Sequence, residues 1–318
     1  MDAPVPPLGP PTAGAGAPRP AAVPPAGGRP QALGLAFIVL AAVAWSTAGL
    51  FPRVLSTDMH TTLFWRSLLG GASVLVLQWL FFKPGQWSAS FRLDRAEWTM
   101  ALYNAVAMIC FIAAFYFASV ADVVFIYSTF PIITLMLSAR MLQLPVHRLD
   151  LGCALVVMLG VALILGGQTS WRGAMGPLLS FVATIMFSLT TVGIKRHPQA
   201  DMVKVTYVAG FLSALIMAPM ATFAHWGHQG PIDLAWLWLY GFLNIGVGFG
   251  AFLLGVQRLK PVHASLLCMI EIPLAPIWAW LLFGETVSGS TLWGGVIILT
   301  AVLVAMAWPR QPDPLPAA

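Results

Sequence analysis

Long apolar runs separated by short polar breaks organise this chain. Ten stretches read as mostly apolar: residues 33–51, 61–82, 97–118, 121–143, 149–166, 174–194, 203–224, 233–256, 262–283 and 290–308. A helix needs about 20 such residues to cross a bilayer, because hydrocarbon offers its backbone no hydrogen bonds. The pattern therefore predicts an all-α polytopic membrane protein with ten transmembrane helices. Short linkers make neighbouring helices antiparallel hairpins. Length alone sets the break between the third and fourth runs. Fused, they would cover residues 97–143, far more than a bilayer is thick, so the chain must interrupt near Ser119.

The ends are different material. Residues 1–30 are rich in Pro, Ala and Gly, which predicts a disordered tail. They lack the compact basic start, apolar core and cleavage site of a signal peptide. Residues 310–318 form a second Pro-rich tail. Between the tails the chain is too apolar to cover itself for water: 59% of all residues are hydrophobic and 8% charged, with mean hydropathy +0.84, where soluble domains carry about 25% charged. The net charge of +5 is scattered, which argues against nucleic acid as a partner. Cys110, Cys153 and Cys268 all fall inside apolar runs and read as packing residues, with no disulfide framework or zinc spacing.

Basic residues report orientation. Of sixteen Lys and Arg, thirteen fall on one alternate set of breaks and helix ends. Only Arg53 and Arg172 fall on the other, and Arg66 lies inside a run. Both termini are therefore expected in the cytoplasm. Sliding the chain against itself by 142 residues brings Pro131 onto Pro273, Gly152 onto Gly294, Ser46 onto Ser188, Trp45 onto Phe187 and Arg53 onto Lys195. The same ungapped offset lays run one on six, four on nine and five on ten. Each half then holds five spans, an odd number, so the second half crosses the membrane in the opposite sense. This predicts two inverted five-helix repeats, residues 31–167 and 168–309, with a midplane site between them.

Three stretches carry a family resemblance: WSTAGLFPR (Trp45 to Arg53), FWRSLLGG (Phe64 to Gly71) and VHASLLCMIEIPLAPIWAWLLFGE (Val262 to Glu285). With them the chain resembles the drug/metabolite transporter superfamily, specifically its EamA-type members, over residues 33–308. The resemblance implies a ten-helix bundle lined by spans one to four and six to nine. It also implies transport of small metabolites, often amino acids or related compounds and frequently outward. Two positions depart from the pattern. Leu142–Gln143 stands where Gly-Glu is common, and Ile272 follows Glu271 where Pro is frequent.

Arg66 is the most informative residue, a guanidinium that stays charged at any physiological pH inside a run otherwise free of charge. It can bind a substrate carboxylate or phosphate, cap carbonyls of a broken helix, or snorkel outward. Glu271 is expected near mid-membrane, as a proton carrier, as counter-ion to a cationic substrate, or as a carboxyl bonded to helix backbone near Pro273. Whether it pairs with Arg66 is open. Pro131, Pro273 and Pro276 are expected to kink their helices and supply bending points. Trp45, Ser46, Trp65, Tyr103, Asn104, Tyr127, Ser188 and Asn244 are further substrate-binding candidates, with interhelical hydrogen bonding and packing as their ordinary roles. Gly246 and Gly250 have the spacing for close helix approach. Asp122 and Glu285 sit at the outer ends of spans four and nine, where a solvated interface is the ordinary role and an outer gate the other.

No catalytic, metal or cofactor constellation stands out. The histidines are scattered, His225 and His228 are at best an exposed pair, and no P-loop or dinucleotide fingerprint occurs. The expected partners are a small solute and the lipid bilayer, with a homodimer left open. The resulting expectation is a secondary transporter in a bacterial inner membrane, working by alternating access, with proton coupling or exchange. An integral-membrane enzyme and a non-transporting membrane scaffold remain the alternatives.

Overall fold

The structure, a computed structural model, describes residues 29–81, 93–143, 147–168, 170–222, 231–256, 258–259 and 267–307. The expectations for both tails, for the start of the ninth run, and for His225, His228 and His263 lie outside these residues.

Among the described residues every regular element is helical. The first half contains α1 (Arg29–Ser46), α2 (Phe51–Val54), α3 (Met59–Phe81), α4 (Arg95–Ala114), α5 (Val120–Tyr127), α6 (Phe130–Met141) and α7 (Arg148–Gly166). The second contains α8 (Trp171–Arg196), α9 (Met202–Met217), α10 (Pro231–Gly241), a π-helical turn (Phe242–Val247), α11 (Gly248–Val256), α12 (Glu271–Phe283) and α13 (Gly289–Ala307). Nine helical stretches among these residues are long and apolar enough to cross a membrane. Among the described residues the ninth apolar run contributes α12, an apolar helix of 13 residues, preceded by a short helical piece at Leu267–Cys268.

Local chemistry explains where the helices begin. Asp94 accepts from the Glu97 backbone N–H at 2.7 Å, and the Glu97 carboxylate accepts from the Asp94 N–H at 3.1 Å, a reciprocal capping box. Ser119 caps α5 by accepting from the Asp122 N–H, so the break required by length falls at a residue built to start a helix. Asp201 caps α9 through the N–H groups of Val203 and Lys204. Gln143 takes the left-handed backbone just after α6, φ 55°, the conformation that Gly adopts more readily.

Polarity does not separate the inner and outer faces of these helices, as expected where the solvent is also apolar. On α7, Cys153, Val157, Val161 and Ile164 point inward while Leu155, Leu159 and Leu163 point out. α7 packs on α13, α3 on α9 and α10, α4 on α8 and α9, and α1 on α11. One close backbone-to-backbone crossing involves Gly241 on α10. A Cβ there would lie 2.6 Å from the Arg66 carbonyl oxygen and 2.7 Å from the Gly70 nitrogen. The expected Gly246–Gly250 approach is weaker. A Cβ on Gly246 would lie 3.1 Å from Ser73, and one on Gly250 would touch only Leu77 at 3.5 Å.

Candidate functional site

Polar side chains gather where α1, α3, the π turn and α12 meet. Arg66 stands seven residues into α3, about 10 Å from its start at 1.5 Å per residue. It is buried, 3% exposed. Its Nη2 donates to Asn244 Oδ1 at 2.5 Å, and its Cζ lies 5.0 Å from the centre of the Tyr240 ring. Tyr240 stacks on Phe51 at 4.3 Å and donates from its hydroxyl to the Ala48 carbonyl at 2.9 Å. The Trp45 Nε1–H donates to the Asn244 backbone carbonyl at 3.0 Å. Asn244 sits in the π turn, where i→i+5 bonding replaces the regular α-helical spacing. On the other side of α1, Trp278 of α12 donates to Ser46 Oγ at 3.2 Å, and Ser46 donates to the Val43 carbonyl.

A second group lies on α4, α5, α6 and α8. Tyr127 is in ring contact with Phe111 at 4.6 Å and with Phe130 and Phe187 at 6.3 and 6.2 Å. Next to Phe187, Ser188 accepts from Thr134 at 3.0 Å. Glu271 begins α12, buried, and acts electrostatically on Tyr127 and Cys268. No hydrogen bond to its carboxylate and no ion pair with Arg66 forms among the described residues. The open question of an Arg66–Glu271 pair is answered in the negative for this conformation.

The structure thus unites Trp45, Arg66 and Asn244, adds Ser46 through Trp278, and gathers Tyr127 near Ser188 and Glu271. Trp65 is half-buried, edge-on to Phe64 at 5.0 Å. Tyr103 is half-buried and Asn104 buried on α4, with no hydrogen bond to the cluster. The prolines behave differently from one another. Pro131 is in the first turn of α6, after a break at Ser128–Thr129, and Pro273 is in the first turn of α12, after a break at Met269–Ile270. Only Pro276 lies within its helix.

One end of the bundle carries a second polar assembly. The Arg53 Nε donates to Glu285 Oε2 at 2.7 Å, and Nη1 donates to the Gly49 carbonyl at 2.8 Å. Glu285 Oε1 accepts from the Val120 N–H at 2.5 Å, at the free N-terminus of α5. Glu285 is aimed by a left-handed Gly284, φ 66°, which closes α12 with bonds from the Gly284 and Glu285 N–H groups to Trp280 and Ala279. Asp122 departs from expectation. It is buried rather than solvated, its carboxylate accepting hydroxyls from Ser119 at 2.7 Å and Thr291 at 2.5 Å. Thr291 is 169 residues distant in the chain, which is why the sequence reads Asp122 as a surface group. At the other end, Lys204 pairs with Glu97 at 3.2 Å, both buried.

The helices and the buried polar cluster define a class: a multi-pass membrane protein with hydrogen-bonding groups held deep among apolar spans. A family model for the EamA-like transporter family matches this chain twice, over residues 32–166 and 174–307. The chain belongs to that family, a group of membrane transporters. An uncharacterized transporter of Synechocystis sp. is 27% identical over 266 residues, covering 74% of each chain. An uncharacterized transporter of Archaeoglobus fulgidus is 27% identical over 279 residues, covering 86% of this chain and 96% of its own. One solved crystal structure superposes with a TM-score of 0.58 at 15% identity, covering 86% of this chain and 96% of the other, and shares the fold.

Proposed function

We propose that this EamA-family protein is a secondary active exporter of a small polar metabolite, such as an amino acid or related compound, working by alternating access. Two five-span halves, residues 31–167 and 168–309, rock about a central site. The observation that carries this reading is that the buried polar contacts cross between the halves: Trp45 and Arg66 meet Asn244, Ser46 meets Trp278, and Thr134 meets Ser188. Ser46 and Ser188 are themselves related by the 142-residue offset. The packing follows the same exchange of halves, α1 with α11 and α4 with α8 being counterparts. The two helix breaks before Pro131 and Pro273 are counterparts too.

In this reading the termini face the cytoplasm of a bacterial cell, the Arg53–Glu285 end faces outward, and Glu271 serves proton coupling or exchange. Flux of radiolabelled amino acids in proteoliposomes tests it. We expect flux that falls sharply in Arg66→Ala, and flux in Glu271→Gln that loses its dependence on a pH gradient. Normal flux in both folded variants would remove the pair from the mechanism. Tags that place the two termini on opposite sides of the membrane would end the five-plus-five arrangement.

A further inference from the structure

We infer that Arg66 and Asn244 form a docking site for a single carboxylate, so that the transported solute carries that group. The inference rests on the transporter reading above and names its substrate class.

A guanidinium has five N–H donors. One of Arg66's is used on Asn244 Oδ1. Its Nε and Nη1 are buried and meet no acceptor in hydrogen-bonding geometry, and Asn244 Nδ2 is buried with none either. Because Oδ1 faces Arg66, the amide's NH2 is fixed as a donor beside it. Unsatisfied donors at a charged group are costly in a medium that supplies no water, and the charge itself needs a counterpart. Among the described residues the ion pairs are Arg53–Glu285 and Lys204–Glu97, with His60 near Asp58. Arg66 belongs to none of them; the Tyr240 ring face and its neighbouring hydroxyl supply only a partial, uncharged substitute, and Nε and Nη1 stay without an acceptor.

Geometry narrows the missing acceptor. Nη2 is shared by both edges of the guanidinium, the Nε edge and the Nη1 edge. Asn244 occupies only one of its hydrogens, so one edge remains for a planar, two-oxygen acceptor. The Asn244 NH2 adds a neutral donor. Charge narrows it further. The cluster of Trp45, Tyr240 and Asn244 brings no second cation to Arg66, so a monoanion is neutralised, whereas a phosphate dianion would leave an uncompensated charge in a low-dielectric site. A halide meets the neutrality condition but presents one spherical centre where the two parallel N–H groups of an edge match two separate oxygens.

The test reads binding with no gradient and no flux, so it fails independently of transport. Full-length protein labelled with 15N-arginine in lipid nanodiscs is titrated with propionate, propionamide, chloride or methylphosphonate. The Arg66 Nε–H resonance is assigned by its loss in Arg66→Lys, or by its displacement in Asn244→Ala. Propionate should move that resonance saturably, and Asn244→Ala should weaken its binding on the order of tenfold, the loss expected of one hydrogen bond to a charged partner. Equal effects from propionamide or chloride, tighter binding of methylphosphonate, or a resonance indifferent to propionate would each overturn the assignment. Intact propionate binding in a protein without flux would refute the transport reading alone.

Discussion

Arg53 and Glu285 are 232 residues apart in the chain and meet at 2.7 Å, tying the end of the first span to the end of α12. Both side chains are mostly shielded, at 19% and 21% exposure. Glu285 also holds the first N–H of α5, so one carboxylate joins three helix ends. Glu285→Ala should destabilise the purified protein by about 1.5–3 kcal/mol, the usual range for hydrogen bonds to a charged group. Glu285→Gln, which keeps an acceptor for Val120, should cost less. Thermal unfolding of the two variants in one detergent checks the order.

Asn244→Asp would place a carboxylate against the Arg66 guanidinium, 2.5 Å from the nearest donor. An internal counter-ion should raise the melting temperature while suppressing propionate binding and flux, because the solute's place is then filled. Unchanged melting with unchanged flux would mean that the guanidinium is already neutralised by another route.

At the α3–α10 crossing, Gly241→Ala forces a methyl group onto backbone atoms of Arg66 and Gly70 that cannot turn aside. Overpacking of this kind typically costs about 1–3 kcal/mol. Gly250→Ala, which meets only the end of the Leu77 side chain, should be close to neutral. Urea or thermal midpoints of the two variants should separate clearly.

Asp58, in the connection before α3, gives a pH dependence with a definite sign. Burial pushes its carboxyl up, but hydrogen bonds from Thr222, Thr61 and His60 together outweigh this and leave it below the ordinary 3.8. A carboxyl lowered in the folded state contributes stability above its unfolded value, and that contribution is lost as pH falls through the folded one. Melting temperature should therefore drop below pH about 4 in the wild type. Asp58→Asn should be less stable at neutral pH and should lack that component of the drop.

The apolar runs were legible because length is a hard constraint in lipid, and the break at Ser119 follows from it. Arg66 stood out as the lone charge of its run, and Asn244 as an uncommon amide in another. Their partners did not stand out. Tyr240 and Trp278 look like any membrane aromatic until folding brings Arg66 and Ser46 to them. The π turn has no proline to announce it, and its carbonyl that accepts from Trp45 has no signature of its own. Ser46 was given interhelical hydrogen bonding as its ordinary role, yet its hydroxyl donates to a carbonyl three residues back in its own helix. A hydroxyl in lipid takes the nearest acceptor, and one is always present three or four residues behind. Arg53 was legible only as a marker of orientation, because its acid lies at the far end of the chain.

Tyr240 touches both the Arg66 guanidinium and the ring of Phe51, and Phe51 shares a single helical turn with Arg53. The phenol therefore bridges the buried guanidinium and the turn that latches the bundle's rim. In the transport reading proposed above, that aromatic bridge is the path by which a solute held deep inside would be felt at the rim as the halves rock.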